Sequence, residues 1–190
     1  MSFEIIVYGN EVLKKTAAPL ETVTPALKGV VDDMVEVMYA NRGVGLAAPQ
    51  VGISKRLVVL DVDQVKKTSR GIPDRRLQVF LNPEILWESE QDGPYVEGCL
   101  SVPGIEGKIY RPGMVRIRYR DLDFKEREIE ADELLARVIQ HEIDHLNGIL
   151  FVDRLSFTQR TRIAGKLSRL RKKNQSEKRP GEKGVSGLII

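Results

Sequence analysis

The feature that most restricts what this chain can build is Gln140-His-Glu-Ile-Asp-His145, a His-Glu-x-x-His segment holding both histidines of the 190-residue chain. Residues four apart on an α-helix share a face, so His141 and His145 can grip one metal ion from a single helix, with Glu142 beside them as a base. The pattern predicts that helix from Asp132 to about Asn147, closed by Gly148. Leu134, Val138, His141 and His145 fall on one stripe, and Leu135, Ile139, Ile143 and Leu146 on a second, so the helix is expected to be buried on most sides. Burial fixes the histidine rotamers. It also makes an ionised Glu142 costly unless a metal or a hydrogen bond stabilises it.

Taken alone, the pentapeptide fits a metal site and two hydrogen-bonded helical histidines about equally well. The sole cysteine tips the balance. Cys99 sits in Glu97-Gly-Cys-Leu-Ser101, and its sulfur would complete a Cys-His-His set with one tetrahedral position left for water. That is the donor set of a hydrolytic metal enzyme. A thiolate with two imidazoles suits zinc, ferrous iron, nickel or cobalt, so the ligands do not select the metal.

A third segment, Gly43-Val-Gly-Leu-Ala-Ala-Pro-Gln-Val-Gly52, is too rich in glycine for a regular element. It lacks both the Lys-Ser/Thr of a phosphate loop and the spaced three-glycine fingerprint of a dinucleotide site. Tight packing after a helix accounts for Ala47 and Ala48 but not for Gln50, whose neutral amide is suited to holding an oxyanion beside a metal.

Elsewhere the chain alternates irregularly between elements. Thr24-Pro25 reads as an N-cap with proline at the first helical position, and Leu27, Val30, Val31, Met34, Val37 and Met38 then recur at helical spacing until Asn41-Arg-Gly43. Residues 56–62 and 77–81 read as buried strands, 83–90 as an extension of the sheet, and 63–76 as an exposed loop. Val115, Ile117 and Tyr119 alternate with arginines in a half-buried strand that turns at Asp121-Leu-Asp123 into a partner near 124–130. Strands and helices do not alternate as βαβ units. The expected class is α+β, with mixed, largely antiparallel sheets packed around a central buried helix carrying the His-Glu-x-x-His motif.

Composition removes several classes. No apolar run approaches a membrane span, the first residues resemble neither a signal nor a transit peptide, and a lone cysteine fits a reducing, cytoplasmic setting. Charge is asymmetric: residues 160–183 carry ten Lys/Arg against two Glu, leaving a mildly acidic body. Leu155, Ile163, Leu167 and Leu170 predict an amphipathic helix over 156–173 that docks on the body, with Arg169, Arg171, Lys172 and Lys173 facing solvent. A cationic helix of this kind could instead bind ribosomal RNA through its phosphates. Residues 1–173 are read as one catalytic domain and 174–190 as a flexible tail.

The three segments, in this order, resemble the signature motifs of the peptide deformylase family, and the resemblance runs from about Thr16–Pro25 to Leu155. It implies a cytoplasmic enzyme that removes the formyl group from the formyl-methionine of nascent peptides. It implies one divalent metal, ferrous iron in the cell with Zn2+, Ni2+ or Co2+ able to substitute, held by Cys99, His141 and His145. Glu142 would take a proton from the attacking water and return it to the leaving amine, while Gln50 and the backbone N–H of Leu100 stabilise the oxyanion. Gly45 would pair with the substrate backbone, and Val44, Leu100, Leu134 and Val138 would line the pocket for the methionine side chain. Glu97 and Arg111 stand where the family places a supporting ion pair; Asp144 could support the metal ligands in the same way, but reads first as an exposed helical carboxylate. The chain departs from the family at Glu106, where many relatives carry arginine or an aromatic residue near the substrate backbone.

The resemblance implies a possible contact with the ribosome through the basic helix and gives no reason to expect DNA or membrane as partners. A zinc metalloprotease shares the His-Glu-x-x-His helix, but its third ligand is more often a downstream His or Glu, and no later His exists here. A metal- or RNA-binding protein without catalysis would need neither Glu142 nor Gln50.

Overall fold

The computed structural model describes residues 3–63 and 75–177. Helix α1 (Pro25–Ala40) starts where the sequence predicts: Thr24 Oγ1 accepts from the Leu27 N–H at 3.1 Å, and Pro25 occupies the first turn. Its six periodic apolar residues are all buried. The strands are β1 (Gly45–Ala47), β2 (Leu57–Leu60), β3 (Gln78–Glu88), β4 (Gln91–Gly98), β5 (Glu106–Pro112), β6 (Met114–Arg120) and β7 (Glu126–Asp132). Helix α2 (Glu133–Leu146) follows β7 directly, and α3 (Phe157–Glu177) ends the described chain.

Five strands form one antiparallel sheet in the order β1-β2-β3-β6-β7, and β4 pairs with β5 in a separate two-stranded sheet. The fold is α+β, as expected. The period-two geometry of a strand sends alternate side chains to opposite faces. In β2, Val58 and Leu60 join the cluster packed on α2, whereas Leu57 and Val59 join the cluster packed on α1. Each fully buried side chain of this kind contributes about 1.5–3 kcal/mol by leaving water. The large sheet is thus held between two helices. Ten of the 14 residues of α2 are buried, which makes it the central helix.

A third apolar cluster joins Val102, Ile105 and Ile109 to Leu150, Phe151, Leu155 and Leu167, seating the small sheet and α3. The N-terminal segment ties the motif-bearing pieces together. Ile6 N–H donates to the Gln50 carbonyl at 2.7 Å, Tyr8 N–H to Ser101 at 2.8 Å, and Ala17 N–H to Leu146 at 2.8 Å.

Several expected boundaries shift. Residues 77–81 and 83–90 form a single strand, β3, interrupted by a bulge at Asn82-Pro83; Asn82 adopts a positive φ of 51°, and its side chain bonds Leu20 N–H and C=O. The partner strand runs over 126–132 rather than 124–130. The expected loop 63–76 falls largely outside the described residues, but Asp61 binds its flanks, accepting from the N–H groups of Asp63 and Arg76 at 3.1 Å each. Helix α3 continues four residues past its expected end, so 174–177 is helical and not tail. Asn174 Nδ2 donates to the Val7 carbonyl at 3.1 Å, a contact the amphipathic stripe did not foretell. Residues 178–190 lie outside the described residues. Leu155, Ile163, Leu167 and Leu170 all pack on the body, while Arg169, Lys172 and Lys173 are exposed and the exposed Arg171 leans over the Tyr8 ring. Among the described residues, no helix is long and apolar enough to cross a membrane.

Candidate metal centre

Three backbone pieces converge on one point. Helix α2 carries His141 and His145 on its inner face; the turn leaving β4 carries Cys99; the tight turn after β1 carries Gln50. One donor atom from each of Cys99, His141 and His145 lies within 4.8 Å of the others, and they form the one such group of three potential ligands found among the described residues. Cys99 Sγ stands 3.2 Å from His145 Nε2.

The orientation of His141 follows from its neighbour. Its Nδ1 lies 3.0 Å from Glu97 Oε2, and a carboxylate can only accept, so Nδ1 keeps its proton, and Nε2 is the nitrogen that would give up its proton to bind a cation. Hydrogen bonds from His141 and Arg111 hold the Glu97 carboxyl at about 2, against the upward push of burial. His145 is pushed well below the ordinary histidine value by burial and the nearby positive charges of His141 and Arg111. Burial would do the same to His141, but the Cys99 sulfur and Glu97 overcome it and lift His141 to about 10. A buried and a partly buried imidazole and a sulfur competing for protons at hydrogen-bond distance fit a site for one divalent cation.

Glu142 faces the other way around the helix, toward β1. A methyl group placed on Gly45 would lie 2.5 Å from Glu142 Oε1 and 2.9 Å from Val138 Cγ1, so only glycine lets the strand pass this close. Glycine at 43 has a similar reason, since a Cβ there would come within 2.8 Å of Leu100 Cδ1. Glu142 is buried, and burial raises its carboxyl to about 7 against the pull of His141 and Arg111. Its Oε2 has no hydrogen-bond partner among the described residues. A buried acceptor without a partner is costly in a purely structural role.

Gln50 is oriented by the backbone. Its Oε1 accepts from the Ala47 N–H at 2.8 Å, which turns Nε2 toward Ser101 Oγ at 3.2 Å and Cys99 Sγ at 3.5 Å. The amide's donor end therefore points at the cluster. Leu100, one residue past Cys99, is half-buried against the α1 cluster. Val44 and Leu134 are partly buried on the α2 core, and Val138 is buried within it.

Behind the donors lies a buried ion-pair chain. Arg111, 2% exposed, donates to Glu97 through Nε (2.6 Å) and Nη2 (2.9 Å) and to Asp144 Oδ2 through Nη1 (2.8 Å). The Glu97–Arg111 pair matches the expectation, and Asp144 takes the supporting role in place of the exposed one: it is 5% exposed, and its carboxylate binds Arg111 and Arg154. Helical periodicity alone treats Asp144 as a surface charge, because its partners come from β5 and from the chain after α2. Arg154 carries no sequence signal of its own, since an arginine beside Leu155 fits no pattern that would mark it.

Residues 2–161 match the sequence profile of the polypeptide deformylase family. A peptide deformylase of Salinibacter ruber is 45% identical over 160 residues, covering 82% of each chain. The solved structure of a peptide deformylase from Legionella pneumophila superposes with a TM-score of 0.80 at 40% identity, over 94% of this chain and all of the other. One from Plasmodium falciparum gives 0.84 at 34% identity, over 93% of this chain and all of the other.

Proposed function

The chain belongs to the peptide deformylase family, and from that premise we infer which of its residues hydrolyse the N-terminal formyl group of new polypeptides. Cys99, His141 and His145 would hold one divalent cation, ferrous iron in the cell with zinc, nickel or cobalt able to replace it. When bound, that cation supplies Lewis acidity, polarising the formyl carbonyl and making water more acidic.

Glu142 removes the proton from the attacking water and hands it to the amine nitrogen as the C–N bond breaks, releasing formate. A carboxyl brought near neutrality by burial is matched to both transfers. Gln50 Nε2 and the Leu100 backbone N–H stabilise the developing oxyanion, each donor contributing about 3–4 kcal/mol. The β1 edge at Gly45 pairs with the substrate backbone, and Val44, Leu100, Leu134 and Val138 receive the methionine side chain. The observation that best supports this reading is the buried, unpartnered Glu142 Oε2 on the same helix as the two histidines. The exposed cations of α3 are compatible with a phosphate backbone such as ribosomal RNA, with binding that weakens steeply as salt rises.

Because a methyl group at Gly45 would collide with Glu142 and Val138, Gly45→Ala is expected to lower kcat on the order of 100-fold. Steady-state kinetics on a formyl-methionyl peptide checks this, and an unchanged kcat would remove Gly45 from the site. Glu106 is exposed and pairs with Gly98 at the end of β4, next to Cys99. Glu106→Arg should therefore change KM for formylated tripeptides, most for those charged beyond methionine, with kcat held within about twofold. A large fall in kcat at constant KM would contradict the assignment of Glu106 to substrate binding.

A further inference from the structure

The ion-pair chain behind the donors does not stop at Arg111. Asp144 Oδ2 accepts from Arg111 Nη1 at 2.8 Å and from Arg154 Nε at 2.5 Å, and Asp144 Oδ1 accepts from Arg154 Nη2 at 2.5 Å. Arg154 comes from outside: it lies between the short helical turn Phe151–Asp153 and α3, and its side chain is 42% exposed. A continuous path of charged hydrogen bonds thus runs from the surface through Asp144, Arg111 and Glu97 to His141 Nδ1.

Charge balance gives Arg154 its role. Arg111 alone faces two buried carboxylates, Glu97 and Asp144, leaving one negative charge uncompensated. Arg154 supplies the second positive charge and takes both Asp144 oxygens. Arg111 is then free to grip Glu97 with two donors, and Glu97 in turn holds the His141 ring. Without Arg154, Asp144 would draw the Arg111 guanidinium toward itself and loosen that grip. A buried carboxylate left without its cation is strongly destabilising, which drives that rearrangement.

We propose that Arg154, which touches none of the metal donors, is a positioning residue that sets the His141 ring through Asp144, Arg111 and Glu97. This rests on the reading of Cys99, His141 and His145 as a cation site. Partners of metal-binding histidines typically change metal affinity or activity by about 10–100-fold when removed, and the longer path here places Arg154 near tenfold.

The test uses the full-length protein and its Arg154→Met, Arg154→Lys and Asp144→Asn/Arg154→Met variants, with folding checked by circular dichroism. The readouts are Co2+ dissociation by chelator competition, the visible spectrum of the Co2+ form, and kcat and KM for a formylated peptide. Arg154→Met is expected to weaken Co2+ about tenfold, shift the spectrum and lower kcat at unchanged KM. Arg154→Lys should recover part of each effect. The double variant should bind Co2+ more tightly than Arg154→Met, because Arg111 and Glu97 then balance. A lower Tm for Arg154→Met with affinity, spectrum and kcat intact would overturn the proposal, as would a double variant weaker than the single one. If Arg154→Met does not fold, an unaltered Arg154→Lys spectrum and affinity would overturn it equally. Failure of the wild-type protein to bind Co2+ would instead strike at the cation site itself.

Discussion

Glu142→Gln is expected to lower kcat for formate release by about 10²–10⁴-fold, the range for loss of a positioned acid-base group. The substitution keeps size and hydrogen-bonding capacity but cannot exchange the proton. Metal content should not change, since Glu142 is not among the three donors. Measuring kcat and bound metal on the same preparation separates the two effects. A variant that keeps its metal and retains kcat within about threefold would show that another group takes the proton.

The second large effect is on stability. Arg111→Met should cost about 3–5 kcal/mol, because it strands the buried Glu97 without its arginine and leaves Asp144 to Arg154 alone. For a chain of this size, about 2–4 °C is lost per kcal/mol, so Tm should fall on the order of 10 °C. Arg116→Met is the control. Arg116 also pairs with a carboxylate, Glu130, but both side chains are about half exposed, and exposed pairs contribute about 0–1 kcal/mol. Equal Tm changes for the two variants, followed by thermal denaturation, would contradict the assigned role of the buried chain.

The parts of this molecule legible in the sequence share one property: their signal is local. Thr24-Pro25 caps α1 within a single turn, the two faces of α2 are visible as helical periodicity, and the alternating residues of β6 report a half-buried strand. His141, His145 and Cys99 stood out because these residue types are so scarce in the chain. The small sheet was missed for the opposite reason. Strands β4 and β5 mix Gly, Pro, Tyr, Glu and Lys, and Tyr95, Val96 and Tyr110 remain exposed, so no two-residue apolar rhythm marks them. The apolar pattern separates 77–81 from 83–90, whereas the Asn82 side chain between them bonds to Leu20 and the chain continues as one strand. The sequence favours the wrong one of two roles for Asp144 and gives none for Arg154, because a buried charge is recognisable only through its partner, and both partners of Asp144 lie outside its own helix.

The most direct measurement is formate release from a short formyl-methionyl peptide by anaerobically prepared, iron-loaded protein, with Glu142→Gln beside it. Multiple turnovers yielding equal amounts of formate and free amine are expected, reduced by at least about 100-fold in the variant. Absence of formate from wild-type protein carrying one metal ion per chain would show that the chain does not deformylate such peptides.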